Sequence, residues 1–311
     1  MARNKIALVG SGNIGGTLAL LSGIKELGDV ALFDIAEGIP SGKALDIVQA
    51  SPVEKFDAKL TGGNDYSVLN GSDVVIVTAG VPRKPGMSRS ELIGINAKIV
   101  QSVTSSVLEY SKNPVIVVVS NPMDTMTYLT IKTCGLDKKR IIGMGGALDS
   151  SRFKTYISKA LKKPANDIHG MVIGGHGDKT MIPLSRFASY NGLPISNFLK
   201  SDEIEDVVSS TMVGGATLTK LLGTSAWYAP GAAISFLVES ILNDSKRIIP
   251  CSVYLDGEYG QSDLCIGVPC IIGKNGVEEI LDLKLNDDEK LKFKNSADSV
   301  REMNESLGQN L

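Results

Sequence analysis

The first half of this 311-residue chain alternates short apolar segments with longer segments of helical periodicity. The apolar segments contain few polar positions, which is typical of parallel strands that are covered on both faces. They are "KIALVG" (5–10), "DVALFD" (29–34), "DVVIVTA" (73–79), "PVIVVVS" (114–120) and "RIIGMG" (140–145), with a weaker one, "AKLTGG", at 58–63. Helical patterns lie between them, as at 14–27 and 89–112, where apolar residues recur at spacings of three and four. This alternation predicts an α/β fold with a doubly wound parallel sheet and right-handed crossovers.

The second half of the chain has a different pattern. Strands of antiparallel character are predicted at 251–260 and 264–281, and the Asn-Gly pair at 275–276 is a typical hairpin turn. Longer helical segments are predicted at 149–161, 202–223, 232–244 and 286–307. We therefore expect two domains, residues 1–145 and residues 146–311, and the second is expected to be an α+β domain.

A glycine motif, "GSGNIGG", follows the first apolar segment directly. In GxGxxG, Gly10 permits the tight turn, Gly12 leaves room for a pyrophosphate, and Gly15 lets helix and strand pack closely. The second apolar segment ends in Asp34, whose carboxylate can accept hydrogen bonds from ribose hydroxyls and repels a 2′-phosphate. We therefore predict a Rossmann-type domain that binds NAD rather than NADP. The alternative is a glycine turn beside an exposed acid.

Composition argues against several classes of protein. The net charge of −2, from 32 basic and 34 acidic residues, does not favour a general nucleic-acid binder. No apolar segment approaches the roughly 18 to 20 residues of a membrane span, and no signal segment is evident, so we expect a cytoplasmic protein. The four cysteines form no CxxC pair, and with only two histidines we expect no metal site and reduced thiols.

The two histidines, His169 and His176, are the only candidates for imidazole chemistry. His176 stands among glycines in "IGGHGDKTMIP" (173–183), a backbone-dominated turn that leaves the ring accessible, whereas His169 fits an ordinary strand position. Histidine suits proton transfer because its pKa of about 6.5 lies near neutral pH. We therefore favour His176 as the functional histidine, and the alternative is a turn histidine without a role.

Two other segments carry candidate site residues. "ALDSSRF" (147–153) puts Asp149 and Arg152 on the same face at the start of a helix, although a capping acid and a surface arginine would give the same pattern. "VSNPMD" (119–124) ends a buried strand at the carboxyl edge of the sheet, where ligands bind in open α/β folds. Asn121 precedes Pro122 there and is restricted to an extended conformation, which a simple strand-terminating turn would also explain.

The segment "GVPRKPGMSR" (80–89) follows a buried strand and cannot be regular structure, since it contains two prolines and two glycines. It carries Arg83 and Arg89 with Lys84 between them. A solvated surface turn is one explanation. Its prolines and glycines are also consistent with a lid that closes over a ligand and carries both arginines with it, with Lys84 as a solvated charge.

Taken in order, these motifs make the chain resemble the lactate/malate dehydrogenase family from end to end. The matching segments are "GSGNIGG", "ALFD", "TAGVPRKPGMSR", "INAKI", "VSNPMD", "LDSSRF" and "GGHGD". The family pattern "MAGVLDSARF" is "MGGALDSSRF" here, and the changes do not touch the functional positions. The resemblance implies a hydride transfer between a 2-hydroxy acid and NAD, carried out by a homodimer or homotetramer.

The resemblance also implies a role for each site residue. His176 and Asp149 would form the proton-transfer pair, Arg152 would hold the C1 carboxylate of the substrate, and Arg89 would polarise its carbonyl group. Asn121 would reach both the substrate and the nicotinamide, and Arg83 would contact the far end of the substrate. The expected cofactor-binding residues are Gly10, Ser11, Gly12, Asn13, Ile14, Gly15, Asp34, Asn96, Val119, Ser120 and Asn121.

Arg83 distinguishes between two substrates. A buried carboxylate without a partner is costly, and so is a cation placed opposite a methyl group. By the resemblance, lactate-specific members have an uncharged glutamine at this position, so Arg83 favours malate and oxaloacetate. The alternatives are a dehydrogenase of lactate or of other 2-hydroxy acids and, from another class, a non-catalytic NAD-binding sensor with the same fold.

Overall fold

The structure is a computed structural model, and it describes residues 3–81 and 87–308. The predictions made for Arg83 and Lys84 therefore lie outside the described residues. Arg89 is described only as the first residue of a helix, and the prediction made for its side chain also lies outside them.

Six parallel strands form one half of the main sheet, and they confirm the predicted α/β class. They are β1 (Lys5–Val9), β2 (Asp29–Phe33), β3 (Leu60–Gly63), β4 (Val74–Val77), β5 (Val115–Val118) and β6 (Ile141–Gly143). Their spatial order, β3-β2-β1-β4-β5-β6, is that of a Rossmann-type doubly wound sheet. Each strand lies within one of the apolar segments of the sequence and is slightly shorter than that segment.

Helices cover both faces of this parallel sheet: α1 (Asn13–Ile24), α2 (Ile39–Glu54), α3 (Arg89–Tyr110) and α4 (Met123–Cys134). Successive residues of β1 point to opposite faces, so that Ile6 and Leu8 join one apolar cluster while Ala7 and Val9 join another. The first cluster includes Leu18 of α1. Burial on both faces explains why the strands have almost no polar residues.

Helices α2 and α4 were not predicted. In α2, Leu45 and Val53 are exposed although they are apolar, so the sequence shows no single buried face. In α4, nearly every side is buried and threonines are frequent, a composition that resembles a strand. The hydroxyl of Thr127 donates to the carbonyl oxygen of Met123, 2.8 Å away and four residues back, and this satisfies it inside the helix.

The second half extends the sheet with antiparallel strands. Its strands are β7 (Ile168–His169), β8 (Val172–Gly174), β9 (Met181–Pro183), β10 (Ser189–Tyr190), β11 (Leu193–Pro194), β12 (Arg247–Asp256), β13 (Ser262–Gly273) and β14 (Gly276–Ile280). Its helices are α5 (Gly146–Leu161), α6 (Ser201–Met212), α7 (Gly214–Leu222), α8 (Tyr228–Leu242) and α9 (Asp287–Glu305). Strand β12 joins β6 through the pair Ser252 and Gly143, and β7, β10 and β11 form a separate small sheet. The mixture agrees with the α+β character expected of this half.

Two details differ from the sequence prediction. The single helix predicted at 202–223 is divided into α6 and α7 at Val213, where the backbone leaves the helical conformation. The hairpin between β13 and β14 turns through Lys274 and Asn275, one residue earlier than predicted. Gly276 already pairs with Gly273 and has a φ of +96°, a conformation that glycine adopts readily.

Within the part of the chain that the structure describes, no helix combines the length and the apolar composition needed to cross a membrane.

Candidate active site

A cleft of about 800 Å³ opens at the carboxyl edge of the parallel strands. The ends of β1, β2 and β4 form its floor, and part of α3 and the segment 224–227 form its walls. Predicted cofactor-binding residues on its surface are Gly10, Gly12, Asn13, Ile14 and Asp34. Open α/β sheets bind nucleotides at this edge, so the cleft lies where the glycine motif predicts.

The three glycines of the motif have different local surroundings. Gly10 has a φ of +108°, a turn conformation that residues with a side chain rarely adopt. A Cβ atom at Gly15 would overlap the carbonyl oxygen of Gly10, so the close packing of α1 on β1 requires glycine here. A Cβ atom at Gly12 would meet no described atom within 4 Å, so this side of the turn is open to a ligand. No described side chain caps α1, and its first N–H groups therefore fit a pyrophosphate.

Asp34 and Ser11 are coupled at the rim of this cleft. The Asp34 carboxylate is half-buried, and it accepts hydrogen bonds from the backbone N–H of Ser11 at 2.7 Å and of Ala36 at 3.0 Å. The Ser11 side chain is fully buried, and its hydroxyl donates to the carbonyl oxygen of Phe33 at 3.2 Å. The hydroxyl of Ser11 therefore points toward β2. The described contact of Ser11 with a cleft residue is the hydrogen bond from its backbone N–H to Asp34.

Asn96 links α3 to the ends of two strands. Its side-chain oxygen accepts from the N–H of Val81 at 2.8 Å, and its amide nitrogen donates to the carbonyl oxygen of Asn121 at 2.7 Å. Asn121 itself is exposed and forms a cis peptide bond with Pro122. The buried amide of Asn96 therefore fixes the backbone of Asn121, while the Asn121 residue itself remains exposed.

Val119 and Ser120 complete the end of β5. The N–H of Val119 donates to the carbonyl oxygen of Val77 at 2.9 Å, and the buried hydroxyl of Ser120 donates to the same oxygen at 3.3 Å. Asn96, Val119, Ser120 and Asn121 do not belong to the surface of the 800 Å³ cleft, but they continue the same sheet edge.

His176 and Asp149 meet at this edge, although one follows β8 and the other lies in the first turn of α5. The Nδ1 atom of His176 is 2.7 Å from Oδ2 of Asp149. A Cβ atom at Gly145 would come within 3.0 Å of the Cβ atom of His176, so the close approach of the two segments favours glycine there. The imidazole is 18% exposed and Asp149 is 2% exposed, so Asp149 engages Nδ1 of a ring that remains partly accessible.

Arg152 completes a cluster of three charged groups. One of its terminal nitrogens donates to Oδ1 of Asp149 at 3.1 Å, so the two oxygens of Asp149 hold Arg152 and His176 at once. The Arg152 side chain is 13% exposed, and its Nε atom has no hydrogen-bond partner among the described residues. A Cβ atom at Gly215 would come within 3.5 Å of a terminal nitrogen of Arg152, so the start of α7 lies near the guanidinium group. A guanidinium with unused donors is suited to a carboxylate ligand.

The electrostatic surroundings raise the pKa of His176 above its ordinary value. Burial by itself lowers the pKa, because it disfavours the charged ring. The charge and hydrogen bond of Asp149 and the charge of Asp124 raise it and together outweigh burial, while Arg152 acts in the lowering direction. The ring therefore holds a proton more strongly than free histidine.

Two features of the site were not predicted from the sequence. Asp124 is 3% exposed, and its Oδ2 atom accepts a hydrogen bond from the backbone N–H of His176 at 2.6 Å. Its signal was an acid directly after the strand that ends in "VSN". The segment 224–227, with the half-buried Trp227, lines the cleft opposite the glycine loop and carries no recognisable motif.

Arg89 begins α3, and the start of this helix is well defined. The Ser88 hydroxyl accepts from the N–H of Glu91 at 3.1 Å, and the Glu91 carboxylate accepts from the N–H of Ser88 at 2.7 Å. This capping box fixes the backbone at the end of the arginine-containing loop. The described residues contain no group of histidine, cysteine and acidic side chains that could hold a metal ion.

Two family models match almost the whole chain. Residues 4–143 match the model described as "lactate/malate dehydrogenase, NAD binding domain", and residues 146–308 match "lactate/malate dehydrogenase, alpha/beta C-terminal domain". The chain is 64% identical over 305 residues to a protein of Flavobacterium johnsoniae named malate dehydrogenase, covering 97% of this chain and 98% of the relative. It is 59% identical over 306 residues to a protein of that name from Bacteroides thetaiotaomicron, covering 98% of each chain.

Solved structures that resemble this chain are also malate and lactate dehydrogenases. The malate dehydrogenase of Picrophilus torridus in its apo form superimposes with a TM-score of 0.96 at 43% identity, covering 100% of both chains. The lactate dehydrogenase of Cryptosporidium parvum, complexed with lactic acid and nicotinamide adenine dinucleotide, superimposes with a TM-score of 0.95 at 41% identity, covering 99% of this chain and 98% of that one. Sequence and structure agree over both halves, and the chain belongs to the lactate/malate dehydrogenase family.

Proposed function

We propose that this protein is an NAD-dependent malate dehydrogenase that interconverts (S)-malate and oxaloacetate. The observation that carries the proposal is the cluster of His176, Asp149 and Arg152, joined at 2.7 and 3.1 Å, at the same sheet edge as the glycine-loop cleft. It unites a proton carrier and a carboxylate-binding cation. The name shared by relatives at 58–64% identity supports malate as the substrate.

Arg152, His176 and Asp149 each have a separate role in the reaction of the 2-hydroxy acid. Arg152 binds the C1 carboxylate through its guanidinium group, whose Nε atom has no hydrogen-bond partner among the described residues. In malate oxidation, Nε2 of His176 takes the hydroxyl proton, and in oxaloacetate reduction it returns that proton to the carbonyl oxygen. Asp149 holds Nδ1, so it fixes the orientation of the ring and stabilises its protonated form. NAD, when bound, accepts or supplies the hydride.

The cofactor is held by backbone groups and one carboxylate. The N–H groups at the start of α1 bind the pyrophosphate, and Asp34 accepts hydrogen bonds from the adenosine ribose. Its two backbone partners keep Asp34 oriented toward the cleft. Asn96 holds the backbone on which Asn121 reaches the substrate and the nicotinamide, and Val119 and Ser120 line that side.

The two arginines of the loop before α3 complete the site. Arg89 polarises the substrate carbonyl as negative charge develops on it. Arg83 pairs with the second carboxylate of the C4 substrate and so favours oxaloacetate over pyruvate. The family also contains lactate dehydrogenases of nearly the same fold, so the fold alone does not set this choice, and we assign it to Arg83.

We also propose the organisation of the whole protein. Residues 1–145 form the NAD-binding domain and residues 146–311 form the substrate and oligomerisation domain. A homodimer or homotetramer in the cytoplasm would cover the apolar side chains that α2 exposes, among them Leu45 at 60% and Val53 at 76%. Light scattering coupled to gel filtration measures the assembly directly, and a monomer at micromolar concentration would contradict it.

A substrate panel tests the proposed activity. Oxaloacetate, pyruvate and 2-ketoglutarate are each combined with NADH or NADPH, and the loss of nicotinamide absorbance is followed. Oxaloacetate with NADH should be the fastest pair by at least about a hundredfold in kcat/KM. His176→Asn, which removes the proton carrier, is the matched control and should abolish turnover while NADH still binds. Pyruvate as the best substrate would support the lactate alternative, and binding of NADH without any turnover would support a sensor.

A further inference from the structure

A second buried carboxylate, besides Asp149, contacts His176. Asp124 lies in the first turn of α4, and its Oδ2 atom accepts a hydrogen bond from the backbone N–H of His176 at 2.6 Å. Asp149 holds the imidazole ring, whereas Asp124 holds the main chain that carries it. The two contacts act on different parts of one residue, so they are separable by mutation.

The other oxygen of Asp124 is unusual for a buried group. Its Oδ1 atom has no hydrogen-bond partner among the described residues, and the same holds for the buried hydroxyl of Ser252. Burial raises the pKa of Asp124. The nearby Ser252 hydroxyl lowers this pKa, but its effect is smaller than that of burial. A carboxylate that is buried without a cation is costly, and a protonated imidazole nearby reduces that cost.

The charged and titratable groups that act on this pair come from two elements, α5 and β13. Asp149 and Arg152 of α5 both act on His176, and Asp149 also raises the pKa of Asp124. Burial, and to a smaller extent the charge of Asp124, raises the pKa of the Cys265 thiol on β13, which leaves this thiol neutral. Within the described residues, His176 is therefore the group whose positive charge Asp124 can stabilise.

We propose that Asp124 is a positioning residue that holds the main chain of His176 at the proton-transfer site and, as an ionised carboxylate, stabilises the protonated imidazole. Its place in the first turn of α4 supports the ionised form, because the positive end of a helix dipole favours an anion. The inference rests on the proposed role of His176 as the proton carrier.

The variant Asp124→Asn separates the effect of the Asp124 charge from the effect of its hydrogen bond to the main chain of His176. Asparagine retains an oxygen that can accept from the N–H of His176, but it carries no charge. The measurement is a pH titration of histidine ring signals by NMR in the protein without NAD. The chain has two histidines, and the exposed His169 of β7 is an internal reference.

In Asp124→Asn, the titration midpoint of His176 should move to lower pH. Asp149→Asn, which removes the other carboxylate, should shift the same signal in the same direction. Glu289→Gln is the matched control, because Glu289 is also buried and also accepts a backbone N–H, that of Asn286, but pairs with Arg186 instead of His176. An unchanged His176 midpoint in folded Asp124→Asn would overturn the proposal.

A measurement on the unaltered protein covers the case in which Asp124→Asn does not fold. With ¹³C-labelled aspartate, the carboxyl signal of Asp124 should respond at the midpoint of the His176 ring signal, because the two groups titrate as a coupled pair. A carboxyl group that stays protonated throughout that range would also overturn the proposal.

The activity readout separates this inference from the proposed function. In Asp124→Asn, kcat/KM for oxaloacetate reduction should approach the wild-type value at acidic pH and fall on the order of tenfold at alkaline pH, where His176 loses its proton earlier. A uniform loss at every pH would show a structural role only and would contradict the electrostatic one. Absence of turnover in the wild type, with the NMR shifts intact, would reject the proposed function and leave the coupling of Asp124 to His176 in place.

Discussion

The Nδ1 atom of His176 lies 2.7 Å from Oδ2 of Asp149, across a separation of 27 residues along the chain. Because the other oxygen of Asp149 accepts from Arg152, one carboxylate orients both the proposed proton carrier and the proposed substrate anchor. A shift in this single carboxylate would therefore disturb binding and proton transfer together.

The pH dependence of catalysis should follow the protonation of His176. Oxaloacetate reduction consumes the proton on this ring, so its kcat/KM should fall as pH rises through the raised pKa of His176. Malate oxidation needs the neutral ring and should rise through the same region. Initial rates in both directions across about pH 5 to 9 provide the check. Flat profiles in both directions would exclude His176 as the proton carrier.

Arg83→Gln should change the substrate preference. Without the cation, the second carboxylate of oxaloacetate loses its partner, and we expect kcat/KM for oxaloacetate to fall by at least about a hundredfold. The value for pyruvate should rise, because a methyl group no longer faces an unpaired charge. Lys84→Gln removes a neighbouring charge and should leave the preference unchanged. Retention of the oxaloacetate preference in Arg83→Gln would refute the assignment.

Asp34→Asn should weaken the discrimination between the two cofactors. The asparagine oxygen can still accept one of the two backbone N–H groups that Asp34 now accepts, but the charge that repels a 2′-phosphate is lost. The ratio of kcat/KM with NADPH to that with NADH should rise by about tenfold or more. Asp29→Asn, at the other end of β2, is the control and should leave the ratio unaltered. An unchanged ratio in Asp34→Asn would mean that another group selects the cofactor.

Alanine substitution at Gly15 should affect folding, whereas alanine substitution at Gly12 should affect NADH binding. In Gly15→Ala the new methyl group overlaps the carbonyl oxygen of Gly10, so we expect a loss of about 1–3 kcal/mol in the free energy of unfolding. In Gly12→Ala no described atom lies within 4 Å of the methyl group, and φ is −69°, so folding should be nearly unchanged. The methyl group would occupy pyrophosphate space, however, and weaken NADH binding by about tenfold.

Thermal unfolding and fluorescence distinguish these two variants. Trp227 is the single tryptophan of the chain and lines the cleft, so energy transfer from it to NADH reports binding directly. A normal affinity in Gly12→Ala would show that the pyrophosphate does not approach this turn. A normal unfolding temperature in Gly15→Ala would show that α1 and β1 can separate at little cost.

Structural features that depend on residues close together in the sequence could be predicted from the sequence alone. Burial on both faces demands apolar strands, so the parallel strands of the doubly wound sheet were predictable from local pattern, whereas their spatial order is known from the structure. The glycine loop, Asp34 and the helical spacing of Asp149 and Arg152 are equally local. Helix α4 was missed because burial on all sides leaves no periodic face, and its threonines satisfy themselves within the helix.

The tertiary structure decided which distant residues meet. Asp124 precedes His176 by 52 residues, and no sequence spacing specifies that its carboxylate accepts the N–H of that turn. The contact exists because the start of α4, which carries Asp124, and the turn after β8, which carries His176, converge at one sheet edge. Sequence therefore determined the residue types and their local geometry, whereas packing of these elements determined the charges around His176, because electrostatic interaction depends on distance and burial in the folded chain.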